Sequence, residues 1–248
     1  MAPCNHTSWL QVTPRNDGFI ETGRFSSILQ QLHDAQNQTP SLLFFLGGKA
    51  KDLALRRLFP QNHFKRRTQD GLANITIDNA SANCNNPIII ADGNPACVST
   101  SNQRRHPCHQ STLYPLQWPC STDQNLRDIA FARIMLPFCS VITLFAEDYS
   151  IEDIKEYLFR WATLGIFSGL PSDLHPHLLI SLSASDSRHQ RYEIRQLCHN
   201  LQAGWKTMFS SITTVYVENK RLSDTASYRP LKEVILRSIK YCMLGIYY

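Results

Sequence analysis

Four short stretches of this chain hold the residue types that phosphate and metal chemistry need. They are Gly47-Gly48-Lys49-Ala50-Lys51-Asp52, Asp92-Gly93-Asn94-Pro95, Glu147-Asp148, and Ser183-Ala184-Ser185-Asp186. Glycine backbone N–H groups cradle a phosphate, lysine adds positive charge, and a carboxylate holds Mg²⁺ directly or through water. Each stretch directly follows an apolar, β-rich run: Ser41–Leu46, Pro87–Ala91, Phe138–Phe145 and His177–Leu182. In an open parallel sheet, ligands sit beyond the carboxyl ends of the strands, so all four stretches belong on one face.

The elements that must carry them alternate. A helix is expected at Gly23–Ala35, where Phe25, Ile28, Leu29 and Leu32 share a face. Lys51–Phe59 reads as a helix stopped by Pro60, and Asn74–Asp78 as an alternating strand joined to Pro87–Ala91 by a turn-rich link, an antiparallel hairpin. Gln124–Leu136, Ser150–Leu164, Arg188–Phe209 and Pro230–Tyr241 read as helices, and Ile212–Val217 as a β-branched strand. Ser150 followed by Asp153 marks a helix start. The count is six strands. The pattern predicts an α/β fold, one three-layer sheet that is mostly parallel with one antiparallel hairpin strand. Residues 1–40 read as an N-terminal extension with one helix. Residues 41–248 read as the α/β domain, with an irregular insertion at about 93–124.

Composition limits the function classes. With 248 residues, 43% hydrophobic and 18% charged, the chain can bury a core and is not disordered by composition. No apolar run approaches the length needed to span a bilayer, and the start lacks a signal-like apolar stretch, so a cytoplasmic protein without a membrane span is expected. The eight cysteines are then reduced thiols with no Cys-x-x-Cys pair. Cys97, His106, Cys108, His109 and Cys120 match no standard zinc spacing. A Ser-His-Asp hydrolase lacks its G-x-S-x-G elbow. The net charge of +5 leans to the first half, where 11 basic residues face 7 acidic ones in residues 1–120. No basic helix or aromatic-interleaved stripe accompanies it, which argues against nucleic acid as a partner.

Three stretches of the chain, with a fourth at the place of a further motif, resemble the P-loop G-domain-like proteins abundant in filamentous fungi, some of which are fused to patatin-like phospholipase domains. Ser41–Gly47 leading into a helix stands where that family has its Walker A loop. Pro87–Asp92 resembles the strand ending in its Walker B or DxxG aspartate. Ala132–Phe145 is similar to its helix-then-strand, and Ser183–Asp186 stands at the place of a base-reading motif. The resemblance implies a Ras-like P-loop sheet over about residues 41–217. It also implies phosphate binding by Gly47, Gly48, Lys49 and Lys51, Mg²⁺ held through water by Asp92, base contact by Asp186, and GTP or ATP as ligand.

The departures weaken that chemistry. With Lys51 as the loop lysine, Ala50 replaces the preceding glycine and Asp52 replaces the Mg²⁺-binding hydroxyl. Pro95 replaces the glycine of DxxG and removes a backbone donor. The expected function is therefore a degenerate G-domain-like protein with weak or lost nucleotide binding and hydrolysis; any activity would be that of a nucleoside-triphosphatase. The alternative is a non-catalytic interaction module, a pseudo-GTPase using the ligand face and the 93–124 loop to bind a protein partner or a fused domain.

Overall fold

In a computed structural model, the chain builds a nine-stranded sheet with helices on both faces. The structure describes residues 6–13, 17–62, 64, 72–96, 111–117, 122–165, 169, 171, 174–183, 187–204, 208–217 and 225–244. The strands are β1 (Ser8–Val12), β2 (Gly18–Glu21), β3 (Ser41–Leu46), β4 (Ala73–Ile77), β5 (Ile88–Gly93), β6 (Thr112–Pro115), β7 (Val141–Phe145), β8 (His177–Ser183) and β9 (Ser211–Val217). The helices are α1 (Arg24–Leu29), α2 (Lys49–Leu58), α3 (Asp123–Ile129), α4 (Ile151–Gly165), α5 (Arg188–Gly204) and α6 (Arg229–Leu244).

The spatial order is β6-β2-β1-β4-β5-β3-β7-β8-β9. β3 lies between β5 and β7, parallel to both, and β4 runs antiparallel beside β5. That half of the sheet keeps the expected antiparallel hairpin beside a parallel core. The expectation of a mostly parallel sheet with one antiparallel hairpin strand is overturned. The β3–β5, β3–β7, β7–β8 and β8–β9 pairs are parallel, while β1–β2, β1–β4, β2–β6 and β4–β5 are antiparallel. The difference comes from β1, β2 and β6, which extend the sheet beyond β4.

Alternating side chains divide the core into two layers. Phe44 and Leu46 of β3 and Leu178, Ile180 and Leu182 of β8 face the side that holds Phe131, Leu158 and Trp161. Leu43, Phe45 and Leu179 face the opposite side, against Leu55 and Leu58 of α2 and Leu231 and Ile235 of α6. Helix α4 starts as its sequence foretells: the Asp153 N–H donates to Ser150 Oγ at 3.1 Å, and the Ser150 N–H donates to Asp153 Oδ2 at 3.2 Å. After α3 the helix widens into a π turn at Ala130–Met135. It presses Phe131 between Phe44 and Trp161, with ring centroids 5.6 and 5.8 Å away. No helix among the described residues is long and apolar enough to cross a membrane.

Candidate functional site

The parallel register of β3, β5 and β7 brings three of the four stretches together at their carboxyl ends. Gly47 and Gly48 link β3 to α2, and the backbone there is tightly enclosed. A Cβ built on Gly47 would stand 2.6 Å from Asp148 Oδ2 and 2.9 Å from Lys51 Cβ, so no side chain fits. The first N–H groups of α2 have no partner within the helix and converge on the space ahead of it.

A carboxylate of the chain itself fills that space. Asp148 ends a short 3₁₀ turn, Ala146–Asp148, directly after β7. Its Oδ2 accepts from the Gly48 N–H at 2.7 Å and the Lys51 N–H at 3.1 Å, and its Oδ1 accepts from the Ala50 N–H at 3.0 Å. Three donors that would meet a phosphate are thus engaged by an anion a hundred residues away in sequence. The neighbouring residue extends the link: Tyr149 Oη donates to Asn94 Oδ1 at 3.2 Å, after β5. One turn therefore ties the exits of β3, β5 and β7.

Lys51 is turned inward, 1% exposed. Its Nζ donates to Asp92 Oδ2 at 2.6 Å and lies 3.1 Å from Asp52 Oδ1. Burial works against the ammonium, but Asp92 and Asp52 outweigh it and raise the lysine above its ordinary value. The two residues expected to hold a phosphate and a magnesium ion hold each other. Lys49 is exposed at the start of α2. Asp186 lies outside the described residues, as do Cys97, His106, Cys108, His109 and Cys120. No group of three or more metal-ligating side chains forms among the described residues.

This donor set does not fit a Mg²⁺-triphosphate as it stands. Four carboxylates, of Asp52, Asp92, Glu147 and Asp148, lie in the exit segments around the buried Lys51. A triphosphate would have to displace Asp148 from its three donors while entering a field of like charge. Asp148 was visible in sequence only as a carboxylate at a strand exit. The register Leu46↔Leu144 sets that exit beside the glycines, and this pairing carries no local spacing signal.

No protein-family model matches the chain, and neither does any curated protein. Among solved structures, it is similar to one of the mammalian SRP receptor, at 12% identity and a TM-score of 0.42, covering 80% of this chain and 99% of that one.

Proposed function

We propose that this chain is a G-domain-like protein whose phosphate loop is closed by its own carboxylate, so that binding and hydrolysis of GTP or ATP are weak or lost. The observation that supports this is the seat of Asp148 on the Gly48, Ala50 and Lys51 N–H groups. The Lys51–Asp92 pair adds to it by engaging the loop's buried cation. In this reading Gly47, Gly48 and Lys51 are the former phosphate contacts, Lys49 flanks them at the surface, and Asp92 is a former metal residue. Asp186 would be the former base contact.

The decisive measurement is thermal unfolding with Mg²⁺-GTP and Mg²⁺-ATP. A ligand of the native state must stabilise it by mass action. The native chain should show no shift at millimolar nucleotide. A saturable shift at micromolar nucleotide, abolished by Lys51→Ala, would defeat the proposal.

A second reading is an interaction module acting through the exit face and the 93–124 segment, in the cytoplasm. Leu113 and Tyr114 favour it: both lie in that segment and are 58% and 56% exposed. Replacing both with serine should then leave the fold intact and abolish capture of a partner or fused domain.

A further inference from the structure

The sheet has two ends, and they differ. At one end is β6, whose Leu116 N–H reaches Asp17 O. Alternation along the antiparallel pair then turns Leu113 and Pro115 outward. Proline has no N–H to offer, so this edge presents one donor and is blunted against further pairing. At the other end is β9, with seven residues, no proline and no charge.

The ladder fixes which β9 groups face out. The His177 N–H donates to Ser140 O, toward β7, so Leu178, Ile180 and Leu182 of β8 turn to β9. In a parallel pair each of these bonds to the residues on either side of its partner. Ser211, Thr213, Val215 and Val217 therefore face β8, and Thr214 and Tyr216 turn their N–H and C=O outward. Among the described residues no strand pairs with that side. The Tyr216 side chain packs on the α5 side of the strand, and its buried hydroxyl makes no hydrogen bond there.

The helices on either side of this edge are basic. Helix α5 packs on one face of β9 and carries Arg188, Arg191 and Arg195 against Glu193. Helix α6 packs on the other and carries Arg229, Lys232 and Arg237 against Glu233. The Arg195 guanidinium lies 5.1 Å over the Tyr216 ring, at the edge itself. Helix α4, by contrast, is acidic, with Glu152, Asp153 and Glu156 against Lys155 and Arg160.

We propose that the β9 edge receives an extended acidic peptide segment of a partner. Its backbone pairs with Thr214 and Tyr216, and its alternating carboxylates meet α5 on one side and α6 on the other. A second copy of this chain suits the edge less, because it would set basic helices against basic helices. The proposal is independent of the closed phosphate loop.

The test is fluorescence anisotropy of a labelled Glu-Thr-Glu-Val-Glu-Thr-Glu peptide against the full chain, with Lys-Thr-Lys-Val-Lys-Thr-Lys as its opposite. The acidic peptide should bind saturably and the basic one should not. Binding should weaken about tenfold with Arg195→Glu, and also in about 1 M salt, where the screening length is about 3 Å. Thr214→Pro removes one outward N–H and should abolish it. If Thr214→Pro does not fold by circular dichroism, Arg195→Glu decides alone. No binding of the acidic peptide, equal binding of both peptides, or binding unchanged by these substitutions overturns the proposal. So does a concentration-dependent dimer of the native chain that Thr214→Pro dissolves, which would assign the edge to a second copy.

Discussion

Two carboxylates anchor this molecule, half-buried Asp148 and buried Asp128, and they do so with different kinds of donor. Asp148 accepts from three backbone N–H groups at the start of α2. Asp128, on α3, accepts from side chains: Trp161 Nε1 and Gln124 Nε2 at 3.2 Å, and Arg160 Nη1 at 3.2 Å. Arg160 also pairs with Glu156. The backbone donors at Asp148 are the same groups that any anion at a helix start would use, so Asp148 occupies a general site. The donors at Asp128 are particular to it: remove that carboxylate and the indole N–H is left buried without an acceptor. A carboxylate can thus fill the space ahead of a helix start or pin one helix to another, and the donor type tells the two apart.

The sharpest break in this comparison is made at the cation behind the loop. Lys51→Ala takes the lysine partner from buried Asp92, and should cost about 3–5 kcal/mol in urea unfolding. Lys51→Met combined with Asp92→Asn should recover most of that loss, because the buried pair itself contributes little net stability. Asp128→Ala should cost about 3 kcal/mol, from the orphaned Trp161 N–H and the space left behind. Asp128→Asn keeps an acceptor for the indole and should cost about 1 kcal/mol.

Asp148→Ala should cost less than Asp128→Ala, about 1–2 kcal/mol, as loss of a helix cap does. It should also do something Asp128→Ala cannot. With the three N–H groups vacated, inorganic phosphate at millimolar concentration should raise the melting temperature of Asp148→Ala and leave the native chain unmoved. Equal response of the two proteins would show that Asp148 does not close the loop.

The two pH dependences should run in the same sense, in different pH windows, because both groups hold their proton more tightly in the folded chain. Lys51 is raised in the folded chain, so its contribution is fully present below the ordinary lysine value of 10.5 and is lost as pH rises through the higher folded value. The stability difference between the native chain and the Lys51→Met, Asp92→Asn double variant should therefore hold steady from neutral pH to about 10 and fall only above that. Asp128 is also raised, chiefly by burial, against the lowering pull of Trp161, Arg160 and Gln124. The sign is the same at a lower pH: the ionised form is disfavoured by folding, so stability declines as pH rises from the ordinary value of 3.8 through the raised one. The advantage of the native chain over Asp128→Asn should be larger near pH 4 than at pH 7, measured by urea unfolding.

Sequence made the central strands legible because β3, β5, β7 and β8 are continuous apolar runs, buried on both faces. It did not make β1, β2 and β6 legible. β1 buries Ser8 and Gln11, which satisfy each other through a 2.9 Å hydrogen bond, and this erases the alternation that marks a strand. β6 has four exposed residues and no pattern at all. Lys51 and Asp92 were visible as candidates, each for an external ligand. Their mutual pairing depends on β3 and β5 lying side by side, and residue type does not reveal that. The Asp148 seat is less legible still, because its partners are backbone groups and residue types say nothing about them.

The smallest effect concerns the cysteines, and it separates the buried helical layer from the surface. Cys198, on α5, is pushed up to about 11 by burial, and Cys139 is buried outright with its Sγ against Met135 O. Thiolate is the reactive species, so both should label slowly at pH 8. Cys84 is exposed in the turn between β4 and β5 and should label within minutes under the same conditions. Peptide mapping after iodoacetamide treatment reads all three sites in one native sample. In Asp128→Ala, loosening of α3 from α4 should raise the rate at Cys139, four residues beyond Met135 at the end of the π turn that continues α3, before it raises the rate at Cys198. Equal acceleration at the two would mean that the substitution opens the whole layer, and that Asp128 pins more than the α3–α4 contact.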